Sequence, residues 1–387
     1  MHMNPRFNIR HLSSRKPTRR RFLQGSAATL SAIALSNCSR NVSDVQSDTS
    51  AESDAGGSQS IPAASGPLHI YTWADYTDEE LTAQFTDQTG IEVIVDVYES
   101  NEAMLAKMQA GGGDAYSILY PSDYMVTQMI QLGMLTEMDH ARLDGLENMQ
   151  DKWQDPGYDP GNQHSVPTSW GTTGLIYNSE ALSPGPSDWD YLWENRDRLS
   201  RRMTLLDDMR EMLGAVLKSL GYSYNSTNEA ELEEAYARLA ELKPHVASFK
   251  SFGWEDQLMG GDVLVAMSYS VDAISATLKN PKLSYIIPES GSSVWTDTMV
   301  IPTSAPNVDA AYEWINFMLT PEVAAKAVDR LKFATPHAIA FDMLSDELKN
   351  NDDLFPPDDI LDQCEGIAPV GDATQMYDRF WTQIKSA

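Results

Sequence analysis

Short strand-like segments alternate with helix-like segments through most of this chain, and this alternation limits the folds that it can adopt. Residues 68–73 alternate in polarity like a strand, and residues 77–80 (Thr-Asp-Glu-Glu) have the form of a capping box that begins a helix ending at Gly90. Strand-like segments at 91–97 and 116–120 are each followed by a helix-like segment. Repeated strand–helix units predict an α/β fold with a mostly parallel sheet.

A second group of strands and helices begins at about Thr173. Its elements are strand-like segments at 175–177, 203–206 and 263–267 and helix-like segments near 209–220 and 228–242. The first pattern then resumes with a strand-like segment at 299–301 and a helix-like segment at 308–319. A chain of 387 residues is long enough for two such units, and none of its later stretches has the apolar length of a membrane span.

The first 37 residues have the composition of an export signal. They hold seven basic residues and no acidic one, and a stretch of small and apolar residues runs from Gly25 to Leu35. That stretch is too short to span a bilayer as a stable helix. Residues 18–24 (Thr-Arg-Arg-Arg-Phe-Leu-Gln) resemble the twin-arginine export motif. Ordinary secretory signals also tolerate arginines, so both export routes stay open.

Residues 35–38 (Leu-Ser-Asn-Cys) resemble a lipoprotein cleavage box, which would make Cys38 the lipidated first residue of the mature chain. Asn37 stands where a small residue is usual, so a lipidated and an unmodified Cys38 are both alternatives. Cys364 is the only other cysteine, and lipidation of Cys38 would leave no disulfide. Residues 38–66 are rich in Ser, Ala, Asp and Gly, which is typical of a flexible tether.

The charge of the chain excludes several classes of partner. The formal net charge is −28, and the chain without its first 37 residues has 21 basic against 56 acidic residues, a net charge of −35. Such an excess disfavours nucleic acids and anionic membrane surfaces, and it favours cationic ligands. A solvated acidic surface accounts for most of the excess.

Aromatic and acidic residues recur together at four of five places where the predicted strands end or, at 295–297, where a strand-like segment opens. Ligands of open α/β sheets bind beyond the carboxyl ends of the strands, so side chains at these turns are candidates for a site. The turns are 73–76 (Trp-Ala-Asp-Tyr), 121–124 (Pro-Ser-Asp-Tyr), 207–211 (Asp-Asp-Met-Arg-Glu), 269–272 (Tyr-Ser-Val-Asp) and 295–297 (Trp-Thr-Asp). Carboxylates suit ammonium groups and ring faces suit methylene spacers, so the pattern favours an extended organic polycation.

These residues also have ordinary structural explanations. Asp208 before a helix is typical of an N-cap, and Glu211 in the first turn suits the helix dipole. Ser122 can simply cap its helix. Trp73 and Trp295 at strand ends are typical of core aromatic residues. Capping and core packing do not require all of them to meet at one sheet edge, and that coincidence favours a ligand site.

A metal site fits the pattern less well. Hard cations gather oxygen ligands around one point, and transition metals prefer His or Cys. The histidines beyond the signal form no i, i+4 pair: they are His69, His140, His164, His245 and His337. We therefore expect neither a metal nor a cofactor.

Separated motifs recur in one order along residues 67–387. They are Trp73-x-Asp75-Tyr76, 88–91 (Gln-Thr-Gly-Ile), 98–102 (Tyr-Glu-Ser-Asn-Glu), Pro121-Ser122-x-Tyr124, Val166-Pro167-x-x-Trp170-Gly171, 206–211 (Leu-Asp-Asp-x-Arg-Glu), Trp295-x-Asp297 and Thr335-Pro336. In order and spacing they resemble the periplasmic spermidine/putrescine-binding proteins of bacterial ABC transporters.

The resemblance implies a two-lobed periplasmic binding protein of the class II type, with its ligand in the cleft between the lobes. It implies that residues 67–171 and 297–341 form one lobe, and that residues 172–296 and 342–387 form the other. It further implies a polyamine ligand and a membrane permease as partner. We expect a monomer, because one pair of lobes makes a complete site.

The resemblance also implies the ligand contacts. In the first lobe it assigns Trp73, Asp75, Tyr76, Ser122 and Tyr124, and in the second lobe and the crossover it assigns Asp208, Glu211, Tyr269, Asp272, Trp295 and Asp297. Asp297 and Asp272 would hold one ammonium group, and Asp208 with Glu211 would hold another amine. The rings of Trp73, Tyr269 and Trp295 would flank the methylenes.

The chain departs from the family at several of these positions. Tyr269 stands where tryptophan is usual, and Phe333 stands where tyrosine is usual and lacks its hydroxyl donor. Asp272 matches an acid of putrescine-preferring relatives, whereas Trp295 resembles the spermidine-preferring ones. The preferred polyamine, spermidine or putrescine, therefore stays open.

Two other functions remain as alternatives. A binding protein of the same fold could carry a sugar, iron or another organic cation. An extracytoplasmic hydrolase is the second alternative, because paired carboxylates are the signature of glycoside hydrolases. No nucleophile with a matched base is evident in the sequence, so we expect a binding protein rather than an enzyme.

Overall fold

The computed structural model describes residues 66–74 and 76–386 of the chain. Its strands are β1 Leu68–Trp73, β2 Val93–Tyr98, β3 Ile118–Leu119, β4 Ser165–Asn178, β5 Met203–Leu205, β6 Val246–Phe249, β7 Val265–Tyr269, β8 Leu283–Ile286, β9 Ser293–Val300 and β10 Glu365–Gly366. The predicted export signal, the predicted tether with Cys38, and Asp75 lie outside the described residues.

Helices separate most of these strands, as the alternating pattern predicts. They are α1 Glu79–Thr89, α2 Asn101–Lys107, α3 Asp123–Gln131, α4 Asp151–Gln154, α5 Tyr191–Glu194, α6 Met209–Ser219, α7 Glu229–Leu242, α8 Glu255–Gly260, α9 Ser270–Lys279, α10 Val308–Leu319, α11 Pro321–Leu331, α12 Ala338–Met343, α13 Asp346–Lys349, α14 Asp358–Leu361 and α15 Thr374–Ser386. Within the described part of the chain, none of these helices combines the length and the apolar character needed to cross a membrane.

The strands form one mixed sheet. Their order is β2-β1-β3-β9-β4-β7-β5-β6, with β10 beside β9 and β8 beside β4. β1 pairs in parallel with β2 and β3, and β5 pairs in parallel with β6 and β7. The long strands β4 and β9 pair antiparallel, with Thr172 opposite Val294. The predicted parallel pairing therefore holds toward the two ends of the sheet, whereas its centre is antiparallel.

Strand β4 belongs to both halves of the sheet. Residues 165–172 pair with β9, and residues 173–178 pair with β7 and β8. Only 175–177 were predicted as a strand, because the Ser, Thr, Gly and Pro residues before them hide the apolar alternation. Burial explains the difference: β4 is covered for most of its length, so ladder hydrogen bonds satisfy its backbone where water is excluded.

Two large hydrophobic clusters and a smaller one stabilise the fold. One contains Ile70, Phe85 and Trp314 from β1, α1 and α10. The other large cluster contains Leu213 and Leu239 from α6 and α7, together with residues of β5, β7 and α15. Each half of the sheet thus has its own core, which fits the length expected for two α/β units.

Local capping interactions set where the helices near the strand ends begin. Asp78 accepts a hydrogen bond from the Leu81 backbone N–H at 2.7 Å, so the N-cap of α1 is Asp78 rather than the Thr77 of the predicted capping box. Gly90 ends α1 with φ at 75°, a left-handed conformation that glycine adopts without a steric penalty. Asp208 caps α6 in the same way as Asp78 caps α1.

Candidate ligand-binding site

A cavity of about 580 Å³, part of it open to solvent, lies where β1, β7 and β9 meet the starts of α3, α6 and α9. Most of the predicted ligand contacts line it: Trp73, Tyr76, Ser122, Tyr124, Asp208, Glu211, Tyr269, Asp272, Trp295 and Asp297. These predicted side chains therefore do come together at one place in the fold.

Asp297 lies in β9, and two hydroxyl groups hold its carboxylate. Ser122 Oγ donates to Oδ1 at 2.6 Å, and the Tyr76 hydroxyl donates to Oδ2. The side chain is buried, and burial raises the pKa of Asp297 to about 6 against the opposing effect of these two hydrogen bonds. Asp297 is thus a fixed carboxylate of the cavity wall.

Ser122 stands at the N-cap position of α3, but its side chain makes no cap hydrogen bond there. Its hydroxyl instead serves Asp297, and Asn101 fixes its position. Asn101 Nδ2 donates to Ser122 Oγ at 3.1 Å, and the Ser122 backbone N–H donates to Asn101 Oδ1 at 3.1 Å. Asn101 lines the cavity and was not predicted as a site residue, although it lies in the motif at 98–102.

Glu211 lies in the first turn of α6 and is held by side chains from distant parts of the chain. Ser293 Oγ lies 3.0 Å from Oε1 and 2.8 Å from Oε2, and the Tyr224 hydroxyl lies 2.7 Å from Oε2. Burial, and then the charge of Asp208, raise the pKa of Glu211 to about 7. Neither Tyr224 nor Ser293 was predicted, because no local pattern places them beside Glu211.

Asp208 combines the two roles that the sequence leaves open. Its Oδ1 accepts hydrogen bonds from the backbone N–H groups of Arg210 at 2.9 Å and Glu211 at 3.0 Å. The same side chain lines the cavity. Burial raises the pKa of Asp208, while the two backbone N–H groups oppose that rise. Asp208 is therefore both a helix cap and a wall of the cavity.

The cavity carries negative charge without a basic side chain in its wall. Among the described residues that line it, none is Lys, Arg or His. Arg210 is buried nearby, but its Nη1 donates to Ala368 O and its Nη2 donates to Asn225 Oδ1, each at 2.9 Å. Four carboxylates thus face a space from which basic groups are absent, an arrangement that suits a cation.

Two further acids, Glu102 and Asp123, lie next to the cavity without lining it. The Tyr124 hydroxyl donates to Glu102 Oε1 at 3.0 Å, and the Tyr124 backbone N–H donates to Asp123 Oδ1 at 2.7 Å. Desolvation raises the pKa of Glu102 to about 7 and that of Asp123 to about 8. Both acids therefore bind a proton more tightly than an exposed carboxyl group does, and neither was predicted.

Aromatic rings form much of the remaining wall. Trp73 Nε1 donates to Tyr120 O at 2.8 Å, which fixes the indole ring at the end of β1. The rings of Tyr269 and Trp295 meet edge to face, with centroids 6.0 Å apart and planes at 88°. Trp73 and Trp295 are buried like core residues and also line the cavity, so both explanations offered for them hold.

The remaining predicted contacts are placed differently. Asp272 is half-buried in the first turn of α9 and lines the cavity. Phe333 does not line it, and instead packs against Tyr76 with ring centroids 5.5 Å apart. Phe333 therefore supports a cavity residue from outside.

Within the described ranges, no three His, Cys, Asp or Glu side chains are grouped as a metal site requires. The carboxylates of the cavity are instead spread along its wall and engaged by separate hydroxyl and backbone donors. Such spacing suits an extended ligand with more than one charged point.

Comparison with known proteins identifies the family. Residues 80–356 match the family model described as bacterial extracellular solute-binding protein. The chain belongs to this family. It is 35% identical over 320 residues to the spermidine/putrescine-binding periplasmic protein of Salmonella typhimurium, an alignment that covers 82% of this chain and 91% of that relative. The putrescine-binding periplasmic protein SpuD of Pseudomonas aeruginosa is 31% identical over 337 residues, covering 82% of this solute-binding protein and 92% of SpuD.

Solved structures support the same fold. The spermidine/putrescine ABC transporter substrate-binding protein PotD of Streptococcus pneumoniae is 35% identical to this solute-binding protein and superimposes with a TM-score of 0.71. The match covers 83% of this chain and 99% of that structure. The predicted periplasmic-binding-protein fold is confirmed.

Proposed function

We propose that this solute-binding protein captures a polyamine, spermidine or putrescine, outside the cytoplasm and delivers it to the permease of an ABC transporter. The observation that carries the proposal is the cavity itself, which combines four carboxylates and several aromatic rings with no basic side chain among its described lining residues. The polyamine specificities in the names of the most similar relatives support the same ligand class.

We propose that the carboxylates are the charged points of the site. Asp297 and Asp272 would bind one ammonium group, and Asp208 with Glu211 would bind another. A charge-assisted hydrogen bond from an ammonium group to a carboxylate is about twice as strong as one between neutral groups. The aromatic rings of Trp73, Tyr269 and Trp295 would contact the methylenes, which carry the apolar part of the ligand.

A bound cation would also offset the cost of burying ionised carboxylates in the cavity wall. Buried carboxylates without a counter-charge bind protons more tightly than exposed ones, which is why the pKa values of Glu211 and Asp297 are raised. An ammonium group that enters the cavity supplies the missing charge, so that the ligand and the ionised carboxylates are buried together. We propose that closure of two lobes over the ligand accompanies this step.

We propose the lobe boundaries given by the family resemblance: residues 67–171 with 297–341, and residues 172–296 with 342–387. The exchange of partners by β4 between Thr172 and Thr173 supports a boundary at that point. The two large hydrophobic clusters support most of this division, because one draws mainly on residues 67–171 and 297–341 and the other on residues 175–267 and 370–384. Leu344, Leu354 and Ile367 are exceptions and pack into the first cluster. We further propose a monomer whose first 37 residues direct export, with a lipidated and an unmodified Cys38 as the two alternatives for its anchoring.

We propose binding without turnover. Asp208 is engaged as a helix cap, and Ser293 and Tyr224 hold Glu211, so these two acids are fixed hydrogen-bond acceptors. The relatives compared above are likewise named as binding proteins. Hydrolysis of a sugar substrate by the purified protein would contradict this proposal.

The test is isothermal titration calorimetry of the purified protein with spermidine and with putrescine at low salt. We expect saturable binding of at least one of them, with a stoichiometry of one ligand per chain. A thermal-shift competition series with diamines, triamines, sugars and ferric iron would separate the cargo classes, because a ligand that binds only the folded state raises the melting temperature. Stabilisation by a sugar or by iron, without any by a polyamine, would overturn the proposal.

A further inference from the structure

Gly171 lies directly opposite Trp295 where β4 pairs with β9. A Cβ atom built at Gly171 would lie 2.4 Å from Trp295 Cζ2 and 2.6 Å from Cη2. Non-bonded carbon atoms are most favourable at about 3.5–4.0 Å, so no larger residue fits without moving the indole ring. The ring of Trp295 thus packs against the backbone of Gly171, in the space that a side chain would occupy.

The surroundings of Trp295 restrict where a displaced ring could go. The side chain is 5% exposed, and the Tyr269 ring meets it edge to face. Ser270 Oγ, which accepts a hydrogen bond from the Thr172 backbone N–H at 3.2 Å, would lie 2.5 Å from the same Cβ atom. Trp295 lines the cavity, so the cavity is the open space beside the ring.

We propose that Gly171 is a positioning residue of the ligand site. Its missing side chain lets the Trp295 ring approach the backbone of β4 closely, and the closeness of that approach sets the width of the cavity beside the methylene chain of the ligand. The inference rests on the proposed polyamine function, because it assigns to Trp295 the role of a methylene contact. Gly171 itself does not line the cavity and acts only through Trp295.

The place of this contact in the fold strengthens the inference. β4 exchanges β9 for β7 and β8 between Thr172 and Thr173, immediately after Gly171. Ser270 begins α9, the helix that carries Asp272. The contact between Gly171 and Trp295 therefore lies at the junction where the two halves of the sheet and a cavity-lining helix meet.

The test compares two glycine-to-alanine variants, in each of which the new Cβ would lie 2.4 Å from a carbon atom of an aromatic ring. In Gly171→Ala the new Cβ meets Trp295, whereas in Gly185→Ala it meets Tyr177 at 2.4 Å, and Tyr177 does not line the cavity. We expect both variants to lower the melting temperature, and only Gly171→Ala to weaken spermidine binding, by tenfold or more in calorimetry. Unchanged affinity in Gly171→Ala, or an equal loss in both variants, would overturn the inference.

A double-mutant comparison distinguishes positioning from a general loss of stability. Trp295→Leu removes the ring, so Gly171→Ala added to Trp295→Leu should change spermidine affinity by less than twofold. A tenfold further loss in the double variant would show that Gly171 acts by another route. This pair also keeps the inference testable if Gly171→Ala alone does not fold, because the smaller Leu side chain removes the clash of the new Cβ with the indole ring and leaves only the small side chain of Ser270 to adjust.

The same measurements distinguish a failure of the proposed polyamine function from a failure of the inference about Gly171. If the wild-type protein bound neither spermidine nor putrescine, the polyamine assignment would fall before any variant was compared. If the wild-type protein bound a polyamine and Gly171→Ala bound it equally well, only the inference about Gly171 would fall.

Discussion

The cavity has two groups of carboxylates, and different kinds of structural element hold them. Asp297 lies within strand β9 and is held by the hydroxyl groups of Ser122 and Tyr76. Asp208 and Glu211 stand at the start of helix α6, where backbone N–H groups hold Asp208. Each group is buried, and the pKa values are raised in both.

The difference shows that the type of structural element determines which donors stabilise a buried carboxylate. A strand has its backbone donors engaged in the sheet, so Asp297 depends on side chains that are far away in sequence. A helix start has free N–H groups and a positive dipole end, so Asp208 is stabilised by its own element. We therefore expect substitutions at the strand group to affect ligand binding and distant packing, and those at the helix group to affect binding and local helix stability.

The largest expected effect is on affinity when the strand carboxylate is neutralised. Asp297→Asn keeps the shape of the side chain but removes the charge that would face an ammonium group, and we expect binding to weaken by about 1.5–3 kcal/mol. Calorimetry with spermidine measures this loss. The matched control is Asp87→Asn, an exposed acid on α1, which should leave the affinity unchanged. Equal affinity of Asp297→Asn and the wild-type protein would remove Asp297 from the site.

The second prediction concerns the pH dependence of binding. Without ligand, the pKa of Glu211 is about 7 and that of Asp297 about 6, so both groups hold protons at the acidic end of this range. An ammonium ligand favours the ionised carboxylates, so binding releases protons and the affinity rises from about pH 5 to pH 8, by up to tenfold per pH unit for each proton released. Calorimetry in two buffers of different ionisation enthalpy measures the proton release.

This pH dependence also separates the two groups. Glu211→Gln should flatten the part of the profile near pH 7, whereas Asp297→Asn should flatten the part near pH 6. A ligand affinity that is constant from pH 5 to pH 8 would contradict the proposed roles of both carboxylates.

The stability of the ligand-free protein should change with pH in the opposite direction. Acids whose pKa is raised on folding stabilise the folded state below their unfolded pKa, about 4 for Asp and Glu, and this contribution is lost as the pH rises through the folded pKa values of about 6 and 7. We expect the melting temperature without ligand to fall from pH 5 to pH 8 because of these groups. In Asp297→Asn and Glu211→Gln the fall should be smaller, and an unchanged slope in both variants would contradict this origin.

The smallest expected effect concerns the stability of helix α6, which Asp208 caps. Asp208→Ala removes the cap hydrogen bonds and should lower the free energy of unfolding by about 1 kcal/mol, whereas Asp208→Asn keeps a good N-cap and should lower it by a few tenths. Both should weaken spermidine binding, because both remove the charge. Urea denaturation with calorimetry measures the two effects, and equal stability losses for Ala and Asn would argue against the capping role.

Some parts of the fold and of the site follow from local sequence patterns. Strand–helix alternation predicts the α/β fold, and Gly90 ends α1 as the pattern indicates. The turns after the strands contain most of the side chains that line the cavity, because the carboxyl ends of strands meet at one edge. Asp208 was correctly recognised as a residue with two explanations, and the structure shows that a cap and a cavity wall can be the same side chain.

Other parts were missed for physical reasons. Residues 165–174 of β4 were not predicted as a strand, because burial on both faces removes the polar–apolar alternation by which a strand is recognised. Phe333 was expected in the cavity but does not line it, and its ring packs against that of Tyr76, which does. Tyr224 and Ser293 have no distinguishing neighbours in sequence, so their contact with Glu211 had no local signal.

The amino-acid sequence by itself determined many of the helices and strands and the chemical groups that stand at their ends, because helix caps, glycine turns and apolar spacing act over a few residues. Only the tertiary structure decided which of those groups meet. The hydroxyl of Tyr76 reaches Asp297 across 221 positions of sequence, and Ser293 reaches Glu211 across 82. Such contacts depend on strand order, register and core packing, which bring distant residues together and which no local pattern encodes.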